Sequence, residues 1–161
     1  MASVSIEKKI FLSAEGFWKS AFILGGYTQQ AGGSFAVFPT LTNQAFACEL
    51  YLKCLLHIKT TCVPKIHELH KLFDNLPVKE RSHLVKTYKN LCKLDPSHDI
   101  FFKANPGFKD DLRSVLEKGA NVFQTVRYAY EGMSGNQLIY FNLPVTALRI
   151  VILENHPEWT P

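Results

Sequence analysis

No apolar run in this chain approaches the roughly 20 residues that a membrane-spanning helix needs. Near its start only Ile10-Phe11-Leu12 separates Lys8-Lys9 from Ser13-Ala14-Glu15, too little for the apolar region of a secretory signal. A cytoplasmic protein with no membrane association is expected. Cysteines are few: Cys48, Cys54, Cys62 and Cys92 contain no CxxC pair and no zinc-site spacing. A chain of 161 residues does not need disulfides, so these thiols are expected to be reduced, mostly buried small hydrophobes. Internal repeats, low-complexity tracts, long linkers and alternating strand-like and helix-like runs are absent, leaving one domain over residues 1–161. What the chain has is apolar material, 47% hydrophobic and 12% aromatic, enough for a core and incompatible with disorder.

Charge is modest at 20% with a net +4, and unevenly placed: residues 53–93 carry nine Lys or Arg against three Asp or Glu. The basic surplus therefore lies in the middle third.

The apolar spacing predicts an all-α bundle of about five to six helices. Phe17, Ala21, Leu24 and Thr28 predict a first helix over 14–30, its second half weakened by Gly25-Gly26. Residues 40–59, apolar almost all round, predict a central buried second helix. Pro64 and Pro77 bracket a short third helix from about residue 65. The fourth, 78–94, is amphipathic, with Leu84, Val85, Tyr88, Leu91 and Cys92 on one side and Lys79, His83, Lys86, Lys89 and Lys93 largely on the other. Residues 96–107 read as irregular. The longest helix is predicted over 109–131, with Asp110 and Asp111 at its positive end, and the last over 144–154, stopped by Pro157.

Within the second helix Glu49 and Lys53 are one acid and one base at i and i+4, in the favourable order, in otherwise apolar surroundings. Partial burial of the pair follows, either as a structural ion pair or as a polar pocket inside the bundle. Arg127 and Glu131 have the same spacing in reverse order and flank Tyr128 and Tyr130, which predicts contacts to other helices and a shared network of Glu49, Lys53, Arg127 and Glu131. His67 and His70 stand at i and i+3 with no third ligand, so no metal site is expected; His67 is read as ordering the loop before the third helix. Lys79, Lys86, Lys89 and Lys93 form either a solvated helix face or a surface for nucleic-acid phosphates.

Three blocks in order, Ala47-Cys48-Glu49-Leu50-Tyr51-Leu52-Lys53-Cys54-Leu55-Leu56, then His67-Glu68-Leu69 with Leu72-Phe73 and Leu76-Pro77, then Phe123 with Arg127-Tyr128-Ala129-Tyr130-Glu131, resemble the HEPN (higher eukaryotes and prokaryotes nucleotide-binding) family. The resemblance implies an all-α bundle, commonly a homodimer, attached to bacterial defence, toxin–antitoxin or stress systems. It implies one of two activities. One is metal-independent endoribonuclease chemistry with no cofactor; the other is a non-catalytic interaction or nucleotide-binding module that partners a nucleotidyltransferase-type protein. The nuclease members use an Arg followed, after four to six intervening residues, by a His, the imidazole moving a proton of RNA and the guanidinium holding the phosphate and its developing charge. Only Arg149 and His156 have that separation here, which marks them as the catalytic pair under that reading. Relatives with the Arg-Tyr-x-Tyr-Glu block often carry a His four residues before the Phe; this chain has Gly119 there.

Overall fold

A computed structural model describes residues 4–120, 122, 126 and 141–160, and among them the chain is all-helical with no strand. Seven helices are described: α1 Ile6–Thr28, α2 Val37–Thr60, α3 Leu69–Asp74, α4 Val78–Leu94, α5 Pro96–Ala104, α6 Leu112–Gly119 and α7 Asn142–Asn155. Short 3-10 turns at Gly33–Ala36 and Pro157–Trp159 precede α2 and follow α7. No described helix is long and apolar enough to cross a membrane.

The first helix begins eight residues before the predicted start, because Ser5 accepts from the Lys8 amide and caps it; Ser13 instead lies inside, bonded back to the Lys9 carbonyl. Gly25-Gly26 does not break α1, which runs to Thr28; the chain then turns through Gly32, in the left-handed region with φ 81°. Gly33 follows so close to the Tyr27 carbonyl that a Cβ there would collide with backbone. α2 starts at Val37, ahead of the predicted residue 40. Pro39 fits in its first turn, where an amide has no intrahelical acceptor in any case.

α1 and α2 form an antiparallel hairpin, with Glu15 meeting Tyr51, Phe17 meeting Phe46, and the Glu7 backbone meeting Cys54. α2 is the central element, burying Ala45, Ala47, Cys48, Tyr51, Leu52, Cys54, Leu55 and Leu56. α7 packs across it with Leu143, Val145, Ala147, Leu148, Val151 and Ile152 buried, and α4 lies against α7. α4 has the predicted bounds and sidedness, with Leu84 and Tyr88 buried and all four lysines exposed.

Three expectations are corrected. The third helix starts at Leu69, not near 65, because the preceding backbone is extended at Glu68. Residues 96–104, expected to be irregular, are helical: Asp95 accepts from the Ser97 amide, and Pro96 occupies the first turn that its fixed φ suits. The helix predicted from residue 109 starts at Leu112, because Asp111 caps the Ser114 amide; it is described over Leu112–Gly119, Val122 and Val126 are helical as well, and the rest of the predicted span to 131 lies outside the described residues. Of the four cysteines, Cys48 and Cys54 are buried, Cys92 is half-buried and Cys62 is exposed, all four as free thiols. Burial pushes the Cys48 thiol far up, and that of Cys54 to about 12.

Candidate functional site

Two polar clusters hang from opposite sides of α2. The first is centred on Glu49, which is 6% exposed. Its Oε1 accepts from Lys53 Nζ at 2.7 Å, one turn along the helix, and lies 2.9 Å from Nδ1 of His67. The expected Glu49–Lys53 pair therefore forms and is largely sheltered, while the His67 side chain reaches it from the loop before α3 with most of its ring in solvent. A buried carboxylate without such partners would cost several kcal/mol, so the pair fixes both the rotation of α2 and the path of the following loop. Arg127, Tyr128 and Glu131, expected to join this network, lie outside the described residues.

The second cluster is centred on Glu15 of α1, which is 3% exposed. Arg149 of α7 donates to it twice, from Nε to Oε1 at 2.6 Å and from Nη2 to Oε2 at 3.2 Å. The Tyr51 hydroxyl of α2 donates to the same Oε1 at 2.5 Å. The guanidinium also lies over the Trp18 ring, 4.8 Å from its centroid. Three helices are thus tied at one carboxylate. The hydrogen bond to Glu15 raises the already high Arg149 pKa, and burial, then the Glu15 bond, push the Tyr51 phenol far above its usual range. Tyr51 is therefore a neutral donor and Arg149 a fixed cation.

His156 follows the last turn of α7 and stacks on Trp159, centroids 4.0 Å apart and planes at 8°. Its Nδ1 is 3.2 Å from Glu158 Oε1, and Trp159 in turn packs on Phe11 of α1. Arg149 and His156 therefore both lie along the α1–α7 seam, but each is engaged by its own acidic partner, Glu15 and Glu158.

Lys79, Lys86, Lys89 and Lys93 lie exposed along α4. His70 does not join His67, whose described partner is Glu49, and no group of three or more metal-ligating side chains occurs among the described residues.

Glu15 is the residue that sequence reasoning missed. The signal was present: it is an acid inside the stripe Phe11, Ala14, Trp18 and Ala21, the same kind of exception that singled out Glu49. Comparison of the chain with protein-family models, with curated proteins and with solved structures gives no match.

Proposed function

We propose that the chain is an HEPN-like helical protein that acts by association, as a non-catalytic module partnering a nucleotidyltransferase-type protein, and does not cut RNA. The observation that carries this is the closure of Arg149 on Glu15. A guanidinium that stabilises a phosphate in the transition state must offer its charge and its donors to the substrate. Here Nε and Nη2 are spent on a buried carboxylate that also takes a hydrogen bond from Tyr51, and one face of the guanidinium is covered by the Trp18 ring. Freeing Arg149 for a phosphate would strand Glu15 at 3% exposure, a penalty of about 3–5 kcal/mol. A phosphate contact that takes Nε or Nη2 carries that cost.

The four exposed lysines of α4 favour a second reading, in which the associated molecule is RNA held by its phosphates. Structured RNA incubated with the purified protein in EDTA separates these readings from catalysis. Intact RNA is expected for the wild type; cleavage that disappears in His156→Ala overturns the non-catalytic reading. RNA binding that weakens steeply with salt and is lost on replacing Lys79, Lys86, Lys89 and Lys93 by alanine selects the RNA reading over the protein partner.

A further inference from the structure

The six histidines differ in what holds their rings. His98 is buried, and Nδ1 of His70 is turned inward, buried with no acceptor. His57 Nδ1 is also buried and stands 3.7 Å from Glu7, beyond hydrogen-bond reach. His83 and His156 meet carboxylates at 2.6 and 3.2 Å, but these belong to Glu154 and Glu158, which are 51% and 62% exposed and so hold a ring loosely. His67 combines two properties that none of the others has together. Its ring is 76% exposed, and its partner is fixed: Glu49 is buried in α2, and Lys53 Nζ grips the same Oε1 at 2.7 Å.

The contact sets the chemistry of the ring. A carboxylate oxygen accepts and does not donate, so the 2.9 Å approach to Glu49 Oε1 places the proton on Nδ1. The lone pair is then on Nε2, which takes no hydrogen bond from any described residue. A general base acts on a substrate held beside it, and a ring standing this far out of the surface holds none. A metal site needs further ligands, and no group of three or more occurs among the described residues. What an oriented, protruding nitrogen offers is nucleophilic attack on a reactive centre that another molecule carries to it. Charge selects that centre: residues 53–71 contain four lysines and one glutamate, a field that favours an anionic phosphoryl group over a neutral acyl group.

We propose that His67 is a phosphoryl-acceptor site, with Nε2 as the nucleophile and Glu49 as the positioning residue that holds its tautomer. The donor is a phosphoramidate or acyl phosphate. The Nε2 lone pair forms the N–P bond, the bond from phosphorus to the donor's amine or carboxylate breaks with its electron pair on that leaving group, and the positive charge that develops on the ring faces the Glu49 carboxylate across the retained Nδ1–H. The site is independent of whether the chain cuts RNA or binds a protein partner, so those assays and the following test fail separately. Potassium phosphoramidate is the probe, added to the full chain at mildly alkaline pH and followed by mass spectrometric mapping without acid. His67 is expected to take up phosphoryl about 10-fold or more faster than His83 and His156, the gain that one charge-assisted hydrogen bond to the ring supplies. Nuclear magnetic resonance of the product is expected to place the group on Nε2. Glu49→Gln with unchanged helical circular dichroism is expected to bring His67 down to the rate of His83. The comparison within the wild type needs no variant, so it decides even where Glu49→Gln unfolds. Uptake at His67 no faster than at His83 and His156, attachment through Nδ1, or a folded Glu49→Gln protein modified as fast as the wild type overturns the proposal.

Discussion

The ring of Phe141, immediately before α7, lies on Gly119 at the end of α6 so closely that a Cβ on Gly119 would fall within it. Phe141 is 1% exposed and Gly119 is buried, so glycine is the residue that lets the two helices meet. Gly119→Ala is expected to lower stability by about 1–3 kcal/mol even though alanine is the better helix former. Adding Phe141→Leu is expected to recover part of the loss. Thermal melts check both, and a Gly119→Ala protein as stable as the wild type contradicts the packing.

The Glu49 cluster predicts an order of effects. Lys53→Met removes the main partner of a carboxylate that is 6% exposed, and is expected to cost about 2–4 kcal/mol. His67→Ala removes a mostly solvent-exposed ring and is expected to cost less than about 1 kcal/mol. Urea denaturation of the two variants reads the difference; a larger loss for His67→Ala would contradict it.

Asp74 ties α3 to α6 by accepting from Arg113 Nη2 at 2.8 Å and Nε at 3.0 Å. The Arg113 hydrogen bond holds its carboxyl below the usual value. A depressed carboxylate adds stability that is fully present above the unfolded-state value near pH 4 and is lost as pH falls through the folded-state value. Both side chains are more than a third exposed, so the contribution is under about 1 kcal/mol. Asp74→Asn is expected to melt slightly below the wild type at pH 7, the gap closing as pH drops under about 4. A gap that widens in acid contradicts the pairing.

How legible all this was in the sequence depended on range. α2 and α4 could be read because burial on all sides and a Leu84–Tyr88 stripe opposite lysines are local patterns, and Glu49–Lys53 is a bond within one helix. α5 was hidden because Pro96 is a stop signal or a start signal depending on whether Asp95 turns its side chain onto the Ser97 amide. An acid inside an apolar stripe marks Glu15 itself, but its partners are hidden for a longer-range reason: they come from positions 51 and 149, and nothing near Glu15 announces that α7 will cross α1 there. The same crossing decides how Arg149 is read. By spacing to His156 it is a phosphate ligand; by contact it is the counter-ion of Glu15.

That counter-ion role is most directly tested by the thermal stability of Arg149→Ala against the wild type and the Glu15→Leu/Arg149→Met double variant. Stranding Glu15 is expected to cost about 3–5 kcal/mol in Arg149→Ala, a drop on the order of 10 °C, while the double variant, which removes both charges and keeps apolar volume, melts closer to the wild type. An Arg149→Ala protein that melts with the wild type would show that the guanidinium is not needed by Glu15, and would contradict the account.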